Sequence, residues 1–148
     1  MKDVYYWVLN TNRKYSPNGD DENNMLNNNK CAAYGDSKFV IEKLKERDGD
    51  VVFLYRKAVG IIAFGEADGK LNICDYYDPK EDEKYEDFEY NMKLNNFNKL
   101  KEPLKYSELN NFVGQSNYSW LQPTLVHIGT EIGKKIKNEL QNRIDAFQ

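Results

Sequence analysis

The stretch that decides the fold runs from Gly49 to Lys70, GDVVFLYRKAVGIIAFGEADGK, two apolar runs separated by the charged pair Arg56 and Lys57. In the first run Val51, Phe53 and Tyr55 point to one side while Val52 and Leu54 point to the other, the period of two that a strand imposes. Both sets are apolar, so both faces of this strand need cover. The run Ile61 to Gly65 returns after a short connection containing Gly60, as a hairpin with a bulge or a longer loop does. Asp68-Gly69 then signals another tight turn feeding Leu71, Ile73 and Asp75. The stretch predicts a three-stranded antiparallel meander.

Upstream, Val4, Tyr6 and Val8 alternate with Tyr5, Trp7 and Leu9, again apolar on both faces, which predicts a central strand. The following RKYSPNGDDENNMLNNN carries a turn signal at Pro17 to Gly19 and an asparagine cluster, Asn23 to Asn29, with little to pack, so a long loop is expected. Asp36 or Ser37 can N-cap a helix whose Val40, Ile41 and Leu44 share one face and which ends near Asp48-Gly49. Downstream, Phe88, Tyr90, Met92 and Leu94 alternate with polar neighbours and predict a strand with one wet face. Pro103 precedes a short helix around Ser107 to Phe112. Trp120 to Ile128 reads as an edge strand, because Pro123 cannot donate to a central ladder. Thr130 caps a helix whose Ile132, Ile136, Leu140 and Ile144 form one apolar stripe.

A chain of 148 residues is the size of one domain, and no repeat or linker divides it, so 1–148 is expected to fold as a unit. Five or six strands with two or three peripheral helices predict an α+β fold, a small sheet curled into a barrel that leaves few edges exposed.

Composition excludes more than it assigns. Cys31 and Cys74 stand far apart with no CxxC spacing, and His127, the single histidine, has no ligand partners nearby, so neither a disulfide framework nor a metal site is expected. The glycines form neither GxGxxG nor a Walker loop, and no GxSxG elbow occurs, so no cofactor and no catalytic nucleophile are predicted. The opening MKDVYYWVLNTN is too short and wrongly flanked for a signal peptide or a spanning helix; a cytoplasmic protein without membrane contact is expected. Aromatic residues reach 14%, with eleven Tyr. The net charge is −3, yet Asp78 to Glu89 alone carries seven acidic and two basic side chains, a net of −5, which leaves +2 on the remainder. A local basic face can be built from Arg13, Lys14, Lys30, Lys38, Arg56 and Lys57, or from Lys134, Lys135 and Lys137; the plainer reading is a solvated mixed surface.

Six segments in order, YYWVLNT, CAAYGDSKFVIEKL, GDVVFLYRKAVGIIAFGEA, DPKEDEKYEDFEYNMKL, PLKYSEL and WLQPTLVHIGTEIGKKI, resemble the PUA-like superfamily and specifically its EVE and YTH branch. The resemblance covers nearly the whole chain. It implies a barrel whose open end holds an aromatic-lined pocket for a flipped, modified base from DNA or RNA, in a module that stands alone or works beside a nuclease or ATPase partner, as in restriction or defence. Stacking between aromatic rings compensates for taking a base out of its stack.

On that resemblance Tyr34 occupies the place of a pocket residue, where relatives commonly carry Trp. Gly35, Asp36 and Ser37 follow at a helix start whose amides suit a phosphate or a base acceptor atom. Asn10 and Thr11 end the first strand and would face the barrel mouth, although turn chemistry explains them equally well. Tyr55 would wall the pocket, and Tyr85 is preferred over Tyr76 and Tyr77 as a second ring. Tyr118 and Trp120 form a further aromatic pair, with Lys14, Lys38, Arg56 and Lys57 as phosphate contacts. Two rivals stand beside this reading. One is a nucleoside amidohydrolase of the related ASCH type using Lys14, Thr11 and Glu66; the other is a protein interaction domain using the acidic loop and the last helix.

Overall fold

The computed structural model describes residues 3–11, 20–78, 82–113 and 124–146. In chain order these form β1 (Tyr6–Asn10), α1 (Asp20–Asn28), β2 (Lys30–Tyr34), a 3₁₀ helix (Gly35–Leu44), β3 (Val51–Arg56) and β4 (Gly60–Ala67). There follow β5 (Asn72–Asp78), β6 (Glu83–Lys105), α2 (Tyr106–Val113), β7 (Leu125–Ile128) and α3 (Thr130–Ala146). Among the described residues the seven strands make one curled mixed sheet in the order β2-β6-β4-β3-β1-β7, with β5 also paired to β6. The result is the expected α+β architecture, a small curled sheet with peripheral helices, as a half-barrel whose path is open between β2 and β7.

β1 and β3 lie parallel, Tyr6 opposite Val51 and Asn10 opposite Tyr55, because the chain between them crosses over through α1, β2 and the 3₁₀ helix. β7 pairs antiparallel on the far side of β1 and forms the expected edge. The alternation read from sequence sorts these strands between two cores. Trp7, Leu9, Val52 and Leu54 pack on one face with Met25 of α1 and Ile41 and Leu44 of the 3₁₀ helix. Tyr6, Val8, Val51, Phe53 and Tyr55 pack on the other with Leu109 of α2 and Ile136 and Leu140 of α3. An Arg143–Glu108 ion pair ties the last two helices together.

Four expectations are corrected. The meander is β3-β4-β6, since β4 and β5 do not pair with each other but lie end to end along β6, Ala67 opposite Leu94 and Asn72 opposite Asn91. The turn at Asp68-Gly69 is therefore a jog in one long bent hairpin, pinned where Glu46 N–H donates to the Gly69 carbonyl (2.8 Å) and Lys70 N–H to the Asp68 carboxylate (2.9 Å). The asparagine-rich stretch is not a loop from Asp20 onward but helix α1, with Glu22 and Met25 buried. Lys30–Tyr34 is a strand, and the helix after it starts at Gly35 as a 3₁₀ helix with Tyr34 at its N-cap and no side-chain cap. Finally, β6 runs far beyond Leu94 and has no simple wet face, because Glu89 and Asn91 are buried with Met92 and Leu94 where α1 covers them. Among the described residues no helix is long and apolar enough to cross a membrane.

Candidate functional site

Helix α1 organises the site. Its sequence DDENNMLNN is poor in strong helix formers, so the helix depends on what its side chains reach. Asn24 Nδ2 donates to the Tyr34 hydroxyl (3.0 Å) and to Glu89 Oε1 (2.7 Å). The Tyr34 hydroxyl donates to the Asp21 carbonyl (3.4 Å), and the Tyr76 hydroxyl to Asp21 Oδ1 (2.9 Å). Burial, reinforced by the Glu89 charge, pushes the Tyr34 phenol well above its ordinary pKa, so it stays a neutral donor.

Two tyrosines held by their hydroxyls begin a row of rings. Tyr34 and Tyr76 lie 5.2 Å apart at 59°, Tyr76 and Phe88 5.8 Å apart, and Phe88 and Tyr85 4.8 Å apart. All four residues are half-buried. Gly35 makes room for the row: it adopts φ +60°, and a Cβ there would meet Phe88 Cζ at 3.0 Å. Beyond Phe88, the Lys38 ammonium stands 5.9 Å from that ring, 5.6 Å from Tyr90 and 5.2 Å from Phe39, and donates to the Asp87 carbonyl at 3.3 Å. Such spacing gives modest cation–π attraction at an exposed site.

Beneath the row lies a carboxylate saturated with donors. Glu89, 3% exposed, accepts from Lys30 Nζ (2.6 Å), Asn24 Nδ2 (2.7 Å), Asn91 Nδ2 (2.6 Å) and Cys74 Sγ (3.2 Å). Burial opposes its charge, but the hydrogen bonds from Lys30, Cys74 and Asn91 outweigh burial and hold its pKa below the ordinary glutamate value. Burial and then Glu89 itself push the Cys74 thiol up, which keeps it a donor. With both Asn24 amide protons spent, this network orients Tyr34 rather than reading a ligand.

The structure thus brings Tyr34, Gly35, Lys38 and Tyr85 into one cluster, adding Tyr76 and Phe88, while Phe39 and Tyr90 pair with each other beyond Lys38 and outside the row. Asp36 and Ser37 sit at its border, exposed and half-buried respectively, in the uncapped first turn of the 3₁₀ helix. Asn10, Thr11 and Arg56 lie on the other flank of α1. Asn10 N–H donates to the Thr124 carbonyl, and the fully buried Thr11 hydroxyl bonds Glu22 Oε1 (3.0 Å). Glu22 in turn accepts a two-pronged contact from Arg56, with Nε and Nη2 at 2.9 and 2.8 Å, so this guanidinium is engaged inside the protein. Lys57 is exposed in the turn after β3. Tyr55 is 2% exposed and belongs to the opposite core, its ring 6.2 Å from Tyr106, so it does not meet Tyr34. Lys14, Tyr118 and Trp120 lie outside the described residues.

Thr11 and Glu66 do not share a site. Thr11 N–H bonds to the Tyr55 carbonyl at one end of β3, whereas Glu66 pairs with Val51 at the other end and takes an exposed hydrogen bond from Asn96. Four residues of strand separate those ends by roughly 13 Å. His127 packs at a tilt against Tyr5 (4.8 Å) and Trp7 (4.9 Å). Phe88 carries a sequence signal as a core strand residue only; a positive φ at Asp87 and a shift of the β5–β6 register between Cys74 and Tyr76 bring its ring to the cluster instead.

No family model matches the chain, and no curated protein matches it. Solved structures do. The Rpa0253 protein of Rhodopseudomonas palustris is 15% identical over 93% of this chain and 94% of that one, with a TM-score of 0.55. A hypothetical protein from Leishmania major is 15% identical over 95% and 96%, with a TM-score of 0.53. Human THYN1, solved in complex with 5-methylcytosine-containing DNA, is 11% identical over 91% and 96%, with a TM-score of 0.46. The first two likenesses show a shared fold, and the third is too distant to carry THYN1's DNA binding over to this chain.

Proposed function

We propose that this chain is a non-enzymatic nucleic-acid reader of the EVE and YTH branch that takes an unstacked, modified base of DNA or RNA against the rings of Tyr34, Tyr76, Phe88 and Tyr85. The observation that carries the reading is the convergence of these four half-buried rings on the uncapped start of a 3₁₀ helix, with the Lys38 ammonium at its border. Stacking on such rings is worth about 1–3 kcal/mol per base, and a methyl group on the base adds apolar area that is better buried. Tyr34 is already fixed by Asn24 and Asp21, so little side-chain freedom remains to be lost on binding. The first helical turn has no side-chain cap, and the amides of such a turn suit an acceptor atom of the base or a phosphate oxygen.

Charge shapes the selectivity. Asp75, Glu83, Glu86 and Asp87 are exposed around the cluster, and Arg56 and Lys30 are committed to Glu22 and Glu89. Phosphate attraction is therefore weak here, and the base must supply most of the affinity. Any cutting or remodelling of the nucleic acid would come from a nuclease or ATPase partner.

The test is a titration of oligonucleotides carrying 5-methylcytosine, N6-methyladenine or no modification. Preference for one modified base, reduced about 5- to 150-fold by Tyr34→Ala, supports the reading. Equal, weak and steeply salt-dependent binding to all of them overturns it.

A further inference from the structure

Among the described residues three large hydrophobic side chains are exposed, Val4, Phe39 and Ile73, and Phe39 is both the most exposed, at 54%, and the one aromatic of the three. Its ring meets Tyr90 at 80° with centroids 5.3 Å apart and carries the Lys38 ammonium over it at 5.2 Å, yet more than half of the residue stays open to solvent. Between Phe39 and Phe88 stands the Lys38 ammonium, 5.2 Å from one ring and 5.9 Å from the other. Among the described residues its one direct polar contact is the exposed carbonyl of Asp87 at 3.3 Å, a long hydrogen bond that a phosphate oxygen can replace. Ring, cation, ring is the spacing pattern of a chain of nucleotides, in which each base is followed by a phosphate and then the next base.

We propose that Phe39 is a second stacking platform, taking the base adjacent to the one held at the Tyr34 cluster, while Lys38 contacts the phosphate between them. The inference rests on the reader function proposed above and extends it. The ligand then has at least two consecutive unpaired nucleotides, and the module reads a modified base in a single-stranded or locally opened segment. Selectivity at the second position is low, because every base has a face to stack and Phe39 offers no hydrogen-bonding group.

The experiment compares Phe39→Ala, Phe39→Tyr and the unaltered protein on three ligands: the modified nucleoside monophosphate, an oligonucleotide containing it, and the same oligonucleotide with an abasic site on either side. Phe39→Ala is expected to leave monophosphate affinity unchanged and to weaken oligonucleotide binding about fivefold or more, with Phe39→Tyr restoring it. One of the two abasic positions should erase the difference between variant and parent, which also identifies the strand direction. In addition Lys38→Gln should lower the slope of log affinity against log salt by about 0.7, one phosphate on a single strand. Equal oligonucleotide affinity for Phe39→Ala and the parent overturns the platform while leaving the base reader intact. Failure of the parent to prefer any modified base overturns both.

Discussion

Gly35 is where backbone geometry and the aromatic row meet, and replacing it separates the two. At φ +60° an L-residue with a Cβ is strained, at about 1–2 kcal/mol for alanine. The added Cβ would lie 3.0 Å from Phe88 Cζ and 3.4 Å from Cε1, the far end of a ring that can yield by a few tenths of an ångström. Backbone strain therefore dominates the stability cost of Gly35→Ala, while the ring displacement dominates its effect on binding. For a chain of this size each kcal/mol moves the melting temperature by about 2–4 °C, so Gly35→Ala should melt about 2–8 °C below the parent. Gly35→Asn carries the same Cβ but tolerates the left-handed conformation, so it should recover most of that loss. Both variants displace Phe88 alike and should weaken modified-base binding by the same factor. Thermal unfolding followed by circular dichroism and oligonucleotide titration provide the two readings. If the alanine and asparagine variants melt together, strain at φ +60° is not what Gly35 relieves, and the reasoning fails.

Three further outcomes follow from the same packing. Gly133→Ala raises intrinsic helix propensity by about 1 kcal/mol, yet its Cβ would meet Tyr6 Cγ at 2.2 Å and Tyr6 Cβ at 2.5 Å, and the Tyr6 Cβ is fixed by its backbone, so no rotamer change clears it. Overpacking of about 3 kcal/mol should win, giving a net loss near 2 kcal/mol and a urea midpoint lower by about 1 M; equal or greater stability would refute the docking of α3 on β1. Asp50→Ala removes the acceptor shared by Trp7 Nε1, Tyr5 N–H and Arg47, and should cost about 3 kcal/mol in the same assay, with a change under about 0.5 kcal/mol counting against it. Glu89 has its folded pKa below its unfolded value, so the stability it contributes is full above about pH 4.3 and is lost as pH falls through the folded pKa. The stability gap between the parent and Glu89→Gln should accordingly narrow from neutral pH toward about pH 3. A gap that stays constant would show that Glu89 gains no preference for its charged form on folding.

What the sequence makes legible depends on whether an element's partners are local. β1 and β3 announce themselves because the pleat writes two apolar faces directly into alternate positions, and α3 because Ile132, Ile136 and Leu140 fall on one helical face. α1 offers no such pattern. Its buried residues are Glu22 and Met25, and its asparagines favour turns in isolation. The contacts that keep it helical reach Tyr34 ten positions away and Glu89 sixty-five positions away, distances no local pattern encodes. Glu89 escapes alternation for the same reason: a carboxylate can occupy a covered position only because Lys30 and Asn24 converge on it from elsewhere in the chain.

The same logic explains the outcome at the site. Tyr34, Gly35 and Lys38 are near neighbours in sequence, and Tyr85 lies next to the acidic loop, so motif position alone groups them. Tyr55 suggests a pocket wall only by its place at the end of an apolar run. The pleat, however, gives it the parity of Val51 and Phe53, and that parity commits it to the core under α2 and α3. Alternation by itself contains this outcome: the pairing that sets Trp7 beside Val52 and Leu9 beside Leu54 leaves Tyr55 on the opposite face. α1 then separates residues that motif position groups. Its Glu22 draws Thr11 and Arg56 to one flank while Asp21 and Asn24 hold Tyr76 and Tyr34 on the other, so one short, poorly encoded helix fixes which candidate residues can act together.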